Sequence, residues 1–328
     1  MLDTLITVSN LQTYYFGHKG LGIRAVDGVS LTIREREVVG LVGESGCGKS
    51  ATGLSIMRLT PPPGRLVGGQ IMYRGIDLAS APEETVRKIL GKEISMIFQD
   101  PMTSLNPTYT IGWQIIEAIL AHEKITQTEA VRRAIGLLRE VGIAAPEERI
   151  REFPHRLSGG MRQRVMIAMA LACQPKLVIA DEPTTALDVT VQAQVLNLLR
   201  SLQEQFQMSV LLITHDLGLI AEMTQRVVVM YAGQVIEEAP VADIFAKPLH
   251  PYAEALLASI PGRQAPKSRL RVIPGRVPDL TGAFPGCRFH PRCRYTRDQC
   301  RENAPELVAI DQNRRVRCHR TNDTAAVR

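Results

Sequence analysis

Long hydrophobic runs are missing from this chain of 328 residues. No apolar stretch approaches the ~18 residues that a bilayer-crossing helix needs, so no segment is expected to span a membrane alone. The opening residues, MLDTLITVSN, carry an acid where an export signal has lysines or arginines. No export signal is therefore expected, and cysteines are expected to stay reduced in a cytosolic setting. Aromatic residues are scarce at 5%, with a single tryptophan, Trp113, inside an apolar helical stretch where it is assigned to packing. What is present is ordinary for a globular protein: 45% apolar and 22% charged residues, enough for one large domain or two smaller ones.

The net charge of +6 is unevenly placed. From residue 262 onward there are 15 Lys and Arg against 6 Asp and Glu, whereas residues 1–261 hold 24 against 27. Four of the six cysteines lie in the same basic stretch. This shift marks a second module, and the division expected is 1–250 and 251–328. A basic patch is the footprint of nucleic-acid binding. These arginines, however, lack an aromatic stacking platform and a reading helix, and lipid headgroups or a bound cluster explain the charge as well, so no nucleic acid is expected.

Short apolar runs (EVVGLVG, ISMIFQ, KLVIAD, SVLLITH, RVVVMYAG) alternate with helical segments. Such runs suit buried strands of a parallel sheet and give an α/β class. ITVSNLQ and AVDGVSLTI read as strands of a small antiparallel sheet. Residues 101–165 read as an inserted helical subdomain in which Thr126 and Glu129 have capping-box spacing.

GESGCGKS, residues 43–50, follows the first of these strands and opens a helix. Gly43, Gly48, Lys49 and Ser50 match the phosphate-loop pattern. Glycines let successive N–H groups turn inward as an anion nest, and the helix start adds partial positive charge. Lys49 is placed to reach the β- and γ-phosphates, and Ser50 to meet Mg²⁺. Gly43, Glu44, Ser45, Gly46, Cys47, Gly48, Lys49, Ser50 and Ala51 form the expected nucleotide-binding set. In LVIADE, Asp181 ends a strand where it is suited to hold Mg²⁺ through water, and Glu182 is placed to orient or deprotonate a water. A functionless glycine turn and a plain strand-end acid pair are the bland alternatives, and the register of lysine, serine and carboxylates outweighs them.

LSGGM at 157–161 and TTALD at 184–188 then resemble the signature motif and D-loop of ABC ATPases. The resemblance implies a P-loop NTPase fold: a RecA-like core, an antiparallel β-subdomain and an inserted helical subdomain, here with a small cysteine-containing C-terminal module. It implies that Gln99 is a Q-loop residue and Mg²⁺ ligand, that His215 is a switch histidine, and that Tyr15 stacks on adenine, with Tyr14 and Phe16 as neighbouring alternatives. Ser158, Gly159, Gly160 and Asp188 would complete the site of a partner ATPase. Catalysis falls to Lys49, Gln99, Glu182 and His215, with ATP as substrate and Mg²⁺ held by Ser50, Gln99 and Asp181. Met161 departs from the family's more common glutamine.

QDPMTSLNPTYTIGWQI, DEPTTALDVTVQAQV, MYAGQVIEEAP and HPYAEALLASIPG resemble the ATPases of dipeptide and oligopeptide importers. That implies a bacterial uptake system. This chain would form a heterodimer with a second, related ATPase, bound to two transmembrane permease subunits fed by an extracytoplasmic solute-binding protein. The chain would sit peripherally on the cytoplasmic face of the inner membrane. The alternative is a soluble ABC ATPase acting on nucleic acid or ribosomes.

Cys287, Cys293, Cys300 and Cys318 are spaced C-x5-C-x6-C-x17-C. Four thiolates suit a [4Fe–4S] cluster or Zn²⁺. The resemblance favours iron–sulfur as a structural group; zinc and unligated thiols stay open.

Overall fold

The computed structural model describes residues 3–17, 22–185, 187–260, 272–281 and 284–321. In chain order the strands are Thr4–Phe16 (β1), Gly22–Arg34 (β2), Val38–Val42 (β3), Gly64–Tyr73 (β4), Ile76–Asp77 (β5), Ile94–Ile97 (β6), Leu177–Asp181 (β7), Ser209–Thr214 (β8), Arg226–Tyr231 (β9), Gln234–Pro240 (β10), Val308–Ala309 (β11) and Arg315–Val316 (β12). The helices are Lys49–Ile56 (α1), Glu83–Ile89 (α2), Pro101–Ser104 (α3), Ile111–Leu120 (α4), Gln127–Glu140 (α5), Pro146–Arg149 (α6), Gly159–Ala170 (α7), Val189–Phe206 (α8), Leu217–Met223 (α9), Val241–Ala246 (α10), Pro251–Ala258 (α11) and Asp298–Glu302 (α12). They group into two compact units. One comprises Met1–Asp3, Arg34–Glu37 and Ala81–Leu211; the other comprises Thr4–Ile33, Val38–Ser80 and Leu212–Arg328.

The second unit carries the phosphate loop. All five residues of β3 are buried, as its unbroken apolar run requires, and β3 pairs in parallel with β9. Antiparallel pairings then run from β9 to β10, β10 to β12 and β12 to β11. The expected antiparallel sheet near the start is there, in the order β2-β1-β4-β5. Along β2, Val29, Leu31 and Ile33 are buried at every second position, the period of a half-buried strand.

Charge fastens the tail to this unit. Glu237 and Glu238 on β10 are buried. Glu237 accepts from Arg314 at 2.6 Å and from the N–H groups of Leu249 and His250. Glu238 accepts from Arg315 Nε at 2.8 Å and from Arg226. Each carboxylate needs its partners, because an unpaired buried charge costs several kcal/mol. Arg314 and Arg315 of the tail thus answer buried acids in the same unit.

In the other unit β6 and β7 pair in parallel. The helical character expected over 101–165 takes the form of α3 to α7, with a 3-10 turn at Pro154–Arg156. Helix α5 buries Ala130, Ala134, Leu137 and Leu138, one helical stripe, and Thr126 caps it by accepting from the Glu129 N–H. The assignment of Trp113 to packing is overturned: it is 43% exposed and stacked on Tyr109 with centroids 3.9 Å apart. The buried face of α4 runs through Ile111, Ile115 and Ile119, and position 113 lies half a turn away from it. Gln114 is buried instead, accepting from the Asn106 N–H and donating to the Asn106 and Tyr109 carbonyls.

Candidate nucleotide site

The phosphate loop links β3 to α1, and two glycines are obligatory in it. A Cβ on Gly43 would stand 2.3 Å from the Met230 carbonyl oxygen, and one on Gly48, at φ +103°, would stand 2.1 Å from that of Ala25. Gly48 caps α1 without a side chain, so no side-chain oxygen competes for the N–H groups of the first turn. Ser45 and Gly46 are exposed at the mouth, and Ser50 and Ala51 are half-buried.

Lys49 is 5% exposed. Its Nζ donates to the carbonyl oxygens of Gly43 at 2.8 Å and Glu44 at 3.1 Å. A buried ammonium held by neutral carbonyls, with the Cys47 Sγ at 3.9 Å, is a preformed anion site, since a phosphate oxygen offers a charge-assisted bond in their place. The residues therefore fit a triphosphate. Cys47 is buried beneath the loop, and burial pushes its thiol pKa up. The Cys47 carbonyl accepts from Gly233 N–H at 2.9 Å.

Tyr15 is half-buried, and burial raises its hydroxyl pKa. Its neighbour Tyr14 is engaged elsewhere: the hydroxyl donates to Asp27 at 2.7 Å, and Arg24 lies 5.5 Å over the ring. His215 is exposed immediately after β8, and Asp216 then caps α9 through the N–H groups of Gly218 and Leu219.

The other unit holds the carboxylates and the signature residues. Asp181 ends β7 and is 4% exposed. Glu182 takes φ +44°, a left-handed backbone that L-residues adopt at a cost and that recurs at functional positions. Its Oε2 accepts from Gln99 Nε2 at 3.0 Å and from Thr185 Oγ1 at 2.8 Å. The structure thus brings two residues 83 positions apart into direct contact and adds Thr185, which the sequence reading passed over. Ser158 caps α7 by accepting from Met161 N–H at 3.3 Å. Asp188 caps α8 through Val191 N–H at 3.0 Å. Gly159 and Gly160 open α7, and a Cβ on Gly160 would lie 2.8 Å from Val191. Ala186, within TTALD, lies outside the described residues.

The iron–sulfur expectation is overturned. Cys287, Cys293, Cys300 and Cys318 do line one cavity, but its volume is about 20 Å³. That is room for about one water. Among the described residues no group of three or more His, Cys, Asp or Glu is arranged to hold a metal ion, which removes the zinc alternative as well. Burial pushes the Cys287 pKa up to about 11 and raises those of Cys293 and Cys318. All six cysteines are free.

Two residues missed in the sequence reach the phosphate loop from the C-terminal side. Tyr252 Oη accepts from Glu44 N–H at 2.8 Å, and Arg292 pairs with the Glu44 carboxylate at 2.6 and 3.0 Å. The available signal was an acid inside a loop built for anions.

Residues 26–185 match the family model described as ABC transporter, and residues 236–300 match oligopeptide/dipeptide transporter, C-terminal region. The oligopeptide transport ATP-binding protein AppD of Bacillus subtilis is 54% identical over 318 residues, covering 97% of each chain. The dipeptide transport ATP-binding protein DppD of Escherichia coli is 49% identical over 321 residues, covering 98% of each. Among solved structures, the dimeric ATP-binding cassette MJ0796 bound to ADP and Pi matches with a TM-score of 0.64 and 28% identity, over 72% of this chain and 99% of that one.

Proposed function

This chain belongs to the ABC transporter family, in its oligopeptide and dipeptide branch, and from that premise we propose how it energises peptide uptake. It is the ATP-hydrolysing subunit of a peptide importer. The observation that carries the nucleotide site is the buried Lys49 ammonium, held by the carbonyls of its own loop. Triphosphate enters the nest formed by Gly43–Ala51, and Lys49 exchanges those carbonyls for phosphate oxygens. Tyr15 offers its face to the base, because Arg24 already lies 5.5 Å over the Tyr14 ring. Ser50, Gln99 and Asp181 are the residues suited to Mg²⁺, which when bound neutralises charge on the phosphates.

Glu182 is the base that orients or deprotonates the attacking water, with His215 completing the charge clamp. Gln99 and Thr185 hold the Glu182 carboxylate in one orientation. A shift of Gln99 would therefore be felt at the base, a direct route by which permease contacts bear on hydrolysis. Ser158, Gly159, Gly160 and Asp188 complete the site of the opposite ATPase. The dimeric state of MJ0796 supports a paired arrangement, and we propose a related, non-identical ATPase as the partner.

No helix among the described residues is long and apolar enough to cross a membrane, and we propose separate permease subunits, as the likeness to peptide-transport ATP-binding proteins suggests. Met102, Tyr109, Trp113 and Phe153 are exposed in the helical unit and supply apolar surface for such a partner. We propose a peripheral position on the cytoplasmic face of the inner membrane, with an extracytoplasmic binding protein delivering peptide. The ATPase would comprise 1–250, including the helical subdomain about 101–165, and the C-terminal extension would comprise 251–328.

Glu182→Gln is expected to bind ATP and to lose at least ~100-fold in turnover, as removal of a positioned base does. Hydrolysis and retained nucleotide are measured on the assembled transporter. Turnover at the wild-type rate would take Glu182 out of the base role.

A further inference from the structure

Glu44 is the one residue of the phosphate loop whose charge opposes the ligand. All three of its polar groups are held. Its carbonyl accepts from Lys49, its N–H donates to Tyr252, and its carboxylate takes both forks of Arg292. The Arg292 side chain is 4% exposed, and each of its N–H donors has a partner. Nε donates to Pro274 carbonyl at 2.8 Å; the remaining donors go to Glu44, the Tyr231 hydroxyl and the Ile273 carbonyl.

The support beneath this contact is rigid. Tyr231, Tyr252 and Phe289 form a ring cluster with centroids 4.6 to 5.4 Å apart. Arg288, from the same tail segment as Arg292, donates to the Ala232 carbonyl and pairs with Asp27. The next residue, Gly233, donates to the Cys47 carbonyl in the loop floor. Two arginines of the extension therefore bear on the phosphate loop, one directly and one through the 232–233 turn.

We propose that Arg292 is a positioning residue of the nucleotide site. It holds Glu44, and it cancels a carboxylate that would otherwise repel the incoming triphosphate. The C-terminal extension thereby sets the affinity of this chain for nucleotide. This rests on the nucleotide-site reading above and adds to it a residue outside every ATPase motif. The electrostatic argument is simple: a bidentate arginine–carboxylate pair is geometrically specific, and losing one partner leaves the other charge uncompensated.

The test is equilibrium binding of a fluorescent ATP analogue to the full chain, together with KM and kcat for ATP in the assembled transporter. Arg292→Ala is expected to weaken binding roughly five- to tenfold and to raise KM by a similar factor, with kcat within about twofold. Adding Glu44→Ala to Arg292→Ala is expected to recover most of the lost affinity, because the repelling charge is gone. A merely structural role for Arg292 predicts no such recovery. Where Arg292→Ala does not fold, Arg292→Gln, which keeps part of the side chain and two neutral N–H donors, is put through the same comparison. Wild-type affinity in the Arg292 variant, or a double variant as weak as the single one, overturns the proposal. Lys49→Ala separates the two ideas: it is expected to abolish binding, and undiminished binding there would remove the nucleotide-site reading and this inference with it.

Discussion

At the scale of single residues, His250 is a sharply constrained titratable group. It is 1% exposed, and its Nδ1 accepts from Tyr252 N–H at 3.0 Å, so the ring is neutral. Burial, and then the charges of Arg317 and Arg320, lower its pKa from 6.5 to about 3. The unfolded chain binds a proton below about 6.5 that the folded chain refuses. Stability from this residue is thus complete above that pH and falls as pH drops toward 3, by up to about 1.4 kcal/mol per pH unit. His250→Asn, which keeps an acceptor for the Tyr252 N–H, is expected to flatten the decline in melting temperature between pH 6.5 and 5. An unchanged slope would exclude His250 as its source. His250 lies in the HPYAEALLASIPG stretch, and nothing in its spelling told that the imidazole would be a buried acceptor. That outcome follows from Glu237, Phe289 and the tail arginines closing over it.

At the scale of elements, helix starts were the most legible feature, because capping needs only residues three apart. Thr126 caps the helix that follows, as its spacing suggests, and Ser158 and Asp188 cap theirs as well, a role the sequence reading did not assign them. Thr126→Ala is expected to cost about 1 kcal/mol, read as a lowered denaturation midpoint without loss of ATP binding. Helix α4 shows the limit of the same reasoning. Its apolar content exceeds what one face buries, so composition could not tell which large residue would be left outside. Trp113 is that residue. Trp113→Ala is expected to change stability by less than about 0.5 kcal/mol, as for other surface positions, while peptide import by the assembled transporter falls. A variant that unfolds instead would return Trp113 to the packing role.

At the scale of the whole molecule, the tail is a counter-charge for the unit it joins. Glu237, Glu238, Asp27 and Glu44 each meet an arginine from beyond residue 287. A chain ending at residue 271 would leave the buried Glu237 without its arginine, at roughly 3–5 kcal/mol for the stranded charge, while Glu238 would keep Arg226 alone. It is expected to be recovered largely unfolded or aggregated, checked by circular dichroism and gel filtration. A truncated chain with wild-type stability would show that these pairs contribute nothing net.

The phosphate loop, the strand-end carboxylates, the alternation of strands and helices and the helix caps were determined by the sequence itself. Each depends on residues a few positions apart, where backbone geometry alone dictates what side chains meet. Only the tertiary structure decided that Gln99 holds Glu182, that the four cysteines line one small cavity, and that Arg292 reaches Glu44 across 248 positions. Those contacts are made between distant segments whose approach depends on how whole elements pack. Local periodicity carries no record of which charge will be buried beside which.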